Sequence, residues 1–233
     1  KGGTRKIETL VARAELLAIW PGHAKQASRS FHLALKLAEK EGTRGETLFA
    51  VSRAREFARN EGDRVLLVRS LRLLIERTPW DMDAWLELAR RYPAGSPARE
   101  DVYRSLIERQ ADNAHAHVLH ARHIQESQGL PAALALLQEQ IDAGQDEAVL
   151  LAGMSELNLL AQRPLDAANQ TRLLREKYPE HPATRLAIAR EQIRERDLAT
   201  AIHSLHELVE LQDSPEAQLL LARAESLNGN HAE

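Results

Sequence analysis

Apolar residues recur with the spacing of amphipathic helices along most of the chain, and the pattern is clearest between residues 113 and 215. In that range, two apolar-periodic segments of about a dozen residues alternate with short turns that contain Gly, Pro or Asp. Proline at several of these turns cannot continue the preceding helix but can open the next one. The pattern predicts a helix-turn-helix unit that is repeated along the chain.

The dipeptide Ala-Arg marks the same repeat, at successive steps of 35, 32, 34, 34 and 33 residues. Ser155-Glu156 stands where one member of the series is missing. A fixed period of this length is typical of stacked supersecondary units, each of which buries its apolar face against its neighbours. The members of this series are the dipeptides at 54–55, 89–90, 121–122, 189–190 and 222–223.

The period predicts an α-solenoid of six helical hairpins and one trailing helix, forming a single array, and the Leu- and Ala-rich composition favours an all-α fold. Residues 228–233 look like a turn followed by the first residues of another helix. We therefore expect the chain to be a fragment of a longer array, because a terminal repeat normally needs a polar cap. The predicted units are 6–42, 45–79, 80–112, 113–146, 147–180, 181–213 and the incomplete 214–233.

Small residues are spaced so that two helices of one hairpin can approach closely. Members of each pair are twelve residues apart, one on each helix, and small side chains at a crossing allow close packing. The Ala-Arg positions 54, 89 and 222 imply the same packing role for their alanines. The pairs are Ala121 and Ala133, Ser155 and Ala167, and Ala189 and Ala201.

The amino-acid composition is consistent with a helical fold and reduces the classes of partner that the chain is expected to bind. Of the 233 residues, 43% are hydrophobic and only 4% are aromatic, and the net charge is −3. That charge gives no general reason to expect nucleic acid, whose binding depends on excess Lys and Arg. Cysteine is absent, and no apolar stretch reaches the ~20 residues that a membrane helix requires. We expect a soluble chain, and the 25 Arg to 6 Lys ratio is typical of a GC-rich bacterial genome.

One segment carries a family resemblance. Residues 85–92 read Trp-Leu-Glu-Leu-Ala-Arg-Arg-Tyr and resemble the tetratricopeptide signature W-x2-L-G-x2-Y with Ala in place of Gly, while Pro79 stands where that family closes the preceding repeat. Residues 27–34, with Ala27, Phe31 and Ala34, resemble the second-helix half of the signature. Two irregularities depart from the family pattern: the step between the first two units is stretched around 41–46, and a cramped turn at 93–97 should shorten the helices of the third unit.

The resemblance implies a role for the recurring arginines. In tetratricopeptide proteins, the position after the small packing residue of the first helix faces a concave groove, so these arginines should form a strip there. Guanidinium groups suit carboxylates, including a C-terminal carboxylate. The alternative is that each arginine pairs with an acid of the protein, and Glu156 supplies such an acid. The candidate partner-binding residues are Arg55, Arg90, Arg122, Arg190 and Arg223, together with Arg194, which lies one turn after Arg190 and extends the strip.

Other chemistry-bearing residues favour no reaction. His117, His120 and His123 run at steps of three, but metal-binding helices usually use i, i+4 spacing with partners from another element, so we expect no metal. No phosphate-binding loop, serine-hydrolase motif or cysteine nucleophile occurs. We predict no enzyme and no cofactor, and we interpret Trp20, Trp80 and Trp85 as packing residues.

The resemblance implies a right-handed α-solenoid of tetratricopeptide-like repeats. It also implies a scaffold that binds a protein or peptide, with an acidic segment as the favoured ligand. The main alternative is a structural role in a bacterial envelope assembly for protein export or exopolysaccharide secretion. Helical-repeat RNA binders are disfavoured by the negative charge and the few aromatic residues. No membrane insertion is expected, and the sequence is compatible with either the bacterial cytoplasm or the periplasm.

Overall fold

The computed structural model describes residues 2–211 and 214–229, and within these ranges it contains thirteen α-helices and no strand. The helices are joined by short turns and form antiparallel neighbours. The chain divides into two compact units, unit 1 (Lys1–Ala111) and unit 2 (Asp112–Glu233). The fold is thus an all-α helical-repeat architecture, as the apolar period predicts.

Unit 1 contains three helical hairpins. In each hairpin the two helices pack against each other, and the first helices α1 and α3 are also in contact. The helices of unit 1 are α1 (Gly2–Ile19), α2 (Ala24–Glu41), α3 (Arg44–Glu61), α4 (Arg64–Arg77), α5 (Met82–Ala89) and α6 (Pro97–Arg109).

Unit 2 contains three further hairpins and one more helix. The first helices of successive hairpins lie side by side, because α9 packs against both α7 and α11, and α11 also contacts α13. The helices of unit 2 are α7 (Ala114–Gln128), α8 (Leu130–Asp142), α9 (Glu147–Leu160), α10 (Pro164–Lys177), α11 (Pro182–Glu195), α12 (Leu198–Leu211) and α13 (Pro215–Gly229).

The small residues predicted at the hairpin crossings are buried, which confirms their packing role. The six members of the pairs in unit 2 are all at most 2% exposed. Within the hairpin α9–α10, the Ser155 hydroxyl lies 3.2 Å from the Ala167 carbonyl oxygen, to which it donates a hydrogen bond. Close approach also occurs between hairpins, where Gly153 of α9 lies against the Val118 side chain of α7.

Each hairpin turn of unit 2 uses one residue with positive φ. Gly129 alone separates α7 from α8, with φ of +93°. In the next two hairpins the corresponding residues are Gln162 (φ 58°) and Arg196 (φ 68°). A left-handed backbone conformation costs little free energy for glycine and more for other residues. Two of the three turns, at Gln162 and Arg196, therefore have a less favourable backbone conformation.

One irregularity takes a specific form, and one expectation about the end of a repeat is corrected. The extra residues of the first two units do not lie in the connection around 41–46. Instead they lengthen α1, α2 and α3 to 18 residues each, with only Gly42 and Thr43 between α2 and α3. The turn expected at 228–229 is helical, because α13 continues through Gly229; the remaining residues of that expected segment, 230–233, lie outside the described residues.

The cramped turn at 93–97 has the predicted effect on the first helix of its unit. Helix α5 has 8 residues, whereas the first helices of the other hairpins have 14 to 18. Ser96 caps the following helix by accepting a hydrogen bond from the Arg99 amide, and Pro97 occupies its first turn. The short helix still places Trp85 in the core, at 3% exposure.

Candidate functional site

The candidate arginines lie on or next to the first helices of the hairpins. Arg55 belongs to α3, and Arg90 caps the C-terminus of α5; both are in unit 1. The other four are in unit 2, namely Arg122 on α7, Arg190 and Arg194 on α11, and Arg223 on α13. The two units therefore present separate sets of arginines, and their surroundings differ.

In unit 2, two of the arginines belong to a row of alternating charges that we call the unit 2 ladder: Arg122, Glu156, Arg190 and Glu216. Arg122 donates a hydrogen bond to Glu156, and Arg190 donates one to Glu216. Arg190 Nη2 also lies 3.3 Å from Glu156 Oε2, and Arg122 Nη2 lies 3.7 Å from Glu216 Oε1. The ladder joins α7, α9, α11 and α13.

The unit 2 ladder is partly removed from water and is electrically neutral. The Arg190 and Glu156 side chains are 14% and 17% exposed, so their charges are less screened than those of surface pairs. Removing one member of such a pair leaves the other charge without compensation in a partly desolvated site. This geometry corresponds to the internal pairing that the position of Glu156 suggests in the sequence.

The remaining two arginines of unit 2 lie in different surroundings. Arg194 Nη2 is 2.7 Å from Glu195 Oε1, a pair between neighbouring residues at the end of α11. Arg223 is exposed, and within the described residues its side chain makes no ion pair or hydrogen bond. The packing role expected for Ala222 is wrong, because Ala222 is exposed while Ala217 and Ala224 are buried.

The reason for this difference lies in the apolar stripe of α13. Ala217 and Ala224 are seven residues apart, and Leu220, Leu221 and Leu227 fill the same stripe against α11 and α12. Residues at this spacing share one face of a helix, and position 222 lies off that face. The Ala-Arg dipeptide at 222–223 therefore continues the sequence repeat, but its alanine does not contribute to the packing of α13.

In unit 1, three arginines surround one carboxylate. We call this group the Glu87 cluster: Arg55, Arg59, Glu87 and Arg91. Arg59 binds Glu87 through two hydrogen bonds, from Nε to Oε1 at 2.8 Å and from Nη2 to Oε2 at 2.5 Å. Arg55 Nη1 lies 4.0 Å from Glu87 Oε2. The Arg91 Nε–H donates to the Glu87 backbone carbonyl at 3.4 Å.

The pKa of Glu87 reflects these neighbours. Partial burial alone would raise the pKa of the carboxyl group, but the hydrogen bonds from Arg59 and the charges of Arg59, Arg55 and Arg91 lower it below its usual value. The same hydrogen bonds raise the pKa of Arg59. Glu87 is therefore ionised at neutral pH, and the cluster keeps a surplus of two positive charges.

Two arginines of unit 1 keep guanidinium donors without an acceptor. Within the described part of the chain, the Arg55 side chain donates no hydrogen bond, and its distance to Glu87 is that of an ion pair alone. Arg90 is exposed, and its side chain has no hydrogen bond or ion pair there. Each could form a bidentate contact with a carboxylate without breaking an existing one.

Sequence reasoning missed Arg59, Glu87 and Arg91. The repeat period does not predict this group, because Arg59 and Glu87 are 28 residues apart, which is less than a full repeat. A usable signal was present for Arg59, which follows Arg55 by four residues and so shares its helix face. The same spacing brought Arg194 into the candidate set through Arg190.

The histidines and tryptophans occupy positions that the sequence describes only in part. His117 and His123 are buried on α7, at 5% and 2% exposure. Among residues 2–211 and 214–229, no three His, Asp or Glu side chains are grouped to hold a metal ion. Trp85 packs in the core and donates from Nε1 to the Pro79 carbonyl at 2.8 Å, whereas the packing role expected of Trp20 and Trp80 is wrong, since both are about 60% exposed.

In the part of the chain that the structure describes, no helix combines the length and apolar character needed to cross a bilayer.

Comparisons with known proteins give distant similarities to solved structures and no family match. No family model matches the chain, and a search of curated proteins also finds no match. Among solved structures, yeast Tom70 is similar over 97% of this chain, at 14% identity and a TM-score of 0.45. The chain spans about half of that structure, 48%. Acl4 (residues 1–338), the assembly chaperone of RpL4, is similar over 97% of this chain and 98% of its own, at 15% identity and a TM-score of 0.31.

Proposed function

We propose that the chain is a binding scaffold of the tetratricopeptide type, which holds a protein or peptide segment on the face formed by the first helices of its hairpins. The favoured ligand is acidic, either an acidic stretch or a C-terminal carboxylate. The proposed role is binding without catalysis and without a cofactor.

The observation that carries this proposal is the alignment of equivalent residues across successive first helices. Arg122, Glu156 and Arg190 are each 34 residues apart and touch one another in sequence order. Their contacts support the view that this repeat position faces one common surface. A surface built this way offers an extended ligand a row of regularly spaced side chains.

The tetratricopeptide character is supported by the segment that carries the motif. Trp85 is buried and donates a hydrogen bond to the carbonyl of Pro79, which lies six residues before it. Ala27, Phe31 and Ala34, which resemble the second-helix half of the signature, are buried as well. In both segments, the residues that match the family pattern are the ones that hold the helices together.

The arginines with available donors support an acidic ligand. Arg55, Arg90 and Arg223 are the members of the candidate set whose guanidinium groups donate no hydrogen bond within the described residues. Carboxylates bind such groups through two parallel hydrogen bonds. Attraction between charges at a partly exposed surface weakens with salt, so binding should be strongest at low ionic strength.

The proposal is tested with a panel of fluorescein-labelled peptides that are acidic, basic or apolar, each with a free or an amidated C-terminus. Fluorescence anisotropy at 25 mM and 200 mM NaCl measures their binding. We expect the acidic peptides to bind, and their affinity to fall about tenfold at the higher salt concentration. The triple variant Arg55→Gln, Arg90→Gln, Arg223→Gln should bind more weakly.

The matched control is the pair Arg104→Gln and Arg172→Gln, which removes exposed arginines from the second helices α6 and α10. This variant should bind like the wild type. If no peptide of any class binds the wild type at 25 mM NaCl, the scaffold proposal is wrong.

A further inference from the structure

The two units carry opposite charges, which the net charge of the chain conceals. Unit 1 has 21 Lys and Arg against 15 Asp and Glu, a net charge of +6. Unit 2 has 10 against 19, a net charge of −9. A charge distribution of this kind attracts an anionic ligand to one part of the chain and repels it from the other. The charge of unit 1 therefore favours it as the place where an acidic ligand binds.

Within unit 1, the Glu87 cluster concentrates the positive charge. Two guanidinium groups, of Arg55 and Arg59, contact a single carboxylate, and the charge of a third, Arg91, also acts on it. The side chains of Arg55 and Arg59 are 28% and 48% exposed. The Arg55 donors have no acceptor within the described residues. The bidentate Arg59–Glu87 contact also shows the geometry that the cluster accepts, which is that of a carboxylate.

The unit 2 ladder differs from the Glu87 cluster in its net charge and in the hydrogen bonds that its arginines already donate. Its two arginines are matched by two glutamates, and both arginines already donate hydrogen bonds to them. An acidic ligand at this place would have to displace an internal partner and would approach a unit of net charge −9. Of the six arginines considered in the sequence, Arg122 and Arg190 are thus neutralised within the ladder, whereas Arg55 of unit 1 belongs to a cluster with surplus positive charge.

We propose that the Glu87 cluster is the site at which the scaffold binds its acidic ligand, a protein segment with at least two closely spaced carboxylates. This inference rests on the proposed function and specifies its location and ligand. Glu87 acts there as an internal competitor, since it occupies Arg59 until a ligand with more negative charge arrives. A single carboxylate would gain little over Glu87, whereas neighbouring carboxylates can engage Arg55 and Arg91 together.

The test uses the whole chain and fluorescein-labelled hexaglutamate, with anisotropy measured at 25 mM NaCl. The double variant Arg55→Gln, Arg91→Gln should bind about tenfold more weakly than the wild type, because two charge-assisted contacts are lost. Arg104→Gln, on the second helix α6 of the same unit, is the matched control and should bind like the wild type. Circular dichroism melting confirms that each variant is folded.

Glu87→Gln provides a measurement of opposite sign. This substitution removes the internal competitor and should make hexaglutamate bind several-fold more tightly. Loss of folding cannot produce tighter binding, so the gain distinguishes a binding role from a structural one. Unchanged or weaker binding by a folded Glu87→Gln variant overturns the inference.

Other results would assign the cluster differently. If Arg122→Gln with Arg190→Gln abolishes hexaglutamate binding and the unit 1 variants do not, the ligand binds unit 2; the scaffold proposal then stands and the inference fails. If basic or apolar peptides bind the chain and acidic peptides do not, the scaffold proposal likewise stands and the inference fails.

Two further measurements test other occupants of the cluster. Tighter binding of hexathymidylate than of hexaglutamate would identify the partner as nucleic acid and overturn the carboxylate assignment. Self-association in sedimentation velocity, lost in Arg55→Gln, Arg91→Gln, would identify the acidic unit of a second copy as the occupant and overturn the assignment to another protein.

Discussion

At the scale of single residues, Gly153 has a specific packing role between two hairpins. A Cβ atom at this position would lie 2.6 Å from Val118 Cγ2 and 3.0 Å from Val118 Cγ1. Both methyl groups of the valine are in the way, and a β-branched side chain in a helix has essentially one rotamer. The glycine therefore allows α9 to lie close to α7.

Gly153→Ala should lower the free energy of unfolding by up to about 2 kcal/mol. Overpacking costs about 1–3 kcal/mol, and the better helix propensity of alanine, about 1 kcal/mol, offsets only part of it. Chemical denaturation measures the change. Adding Val118→Ala should relieve the clash, so the two substitutions should be non-additive; simple additivity would show that the close approach is absent.

Glu87 gives the stability a defined pH dependence. Its pKa in the folded state is lower than its ordinary value of 4.5, so its ionised form stabilises the folded protein. This contribution is fully present above about pH 4.5 and is lost as the pH falls through the lower pKa of the folded state. The negative charge of Glu87, and with it the ion pairs of the Glu87 cluster, should therefore be lost only at acidic pH.

Melting temperatures of the wild type and Glu87→Gln, measured from pH 7 to pH 3, test this expectation. The wild type should be more stable at neutral pH, and the difference should shrink below about pH 4.5 as Glu87 is protonated. Glu108→Gln on α6, where the carboxylate is exposed, serves as the control. A difference between wild type and Glu87→Gln that is constant over the whole range would contradict the assigned ion pairs.

At the scale of helices, α13 is less embedded than α11 and α12, which precede it in unit 2. Its main contacts are with α12 and α11, whereas α11 packs against helices on both sides, α9 and α10 as well as α12 and α13. Leu219, Ala222 and Arg223 of α13 are exposed. In a stack where each unit is completed by its neighbours, a helix with neighbours on one side should open first.

Amide hydrogen exchange should therefore be faster in residues 216–228 than in residues 184–208, at neutral pH and without denaturant. The comparison is internal to the chain, since both segments are helical and belong to unit 2. Equal protection of the two segments would mean that a further contact covers α13.

Helix positions and hairpin crossings could be predicted because they follow from local rules. Apolar period, proline and small residues are properties of neighbouring positions, and Ala189 and Ala201 are buried where those rules place them. Ala222 shows the limit of the method. The identity of a recurring dipeptide does not fix the rotation of a helix, which follows the whole apolar stripe around Ala217 and Ala224.

The candidate site was predictable only where its residues keep the repeat period. Arg122 and Arg190 do so, and Glu156 between them already indicates an ion pair. The Glu87 cluster depends instead on contacts across 28 and 32 residues, between long side chains whose reach the period does not describe. Three-dimensional coordinates were needed to identify Arg59 as the partner of Glu87.

At the scale of the whole molecule, the distribution of charge is more informative than its total. A net charge of −3 argues weakly against nucleic acid and predicts little else. The division into two units separates +6 from −9, and the charged partner that each unit prefers follows from these values. Sequence reasoning treated the chain as one array and therefore averaged the two values.

The unit 2 ladder also limits how the length of the repeat can change. Inserting or deleting one residue between Arg122 and Arg190 would rotate a following helix by about 100° and carry its charge away from the neighbouring helix. Where the ladder runs, from Arg122 through Glu156 to Arg190, both steps are 34 residues. The other Ala-Arg steps are 35, 32 and 33 residues. The ion pairs thus favour one repeat length between Arg122 and Arg190, because a residue added within a helix there would separate paired charges.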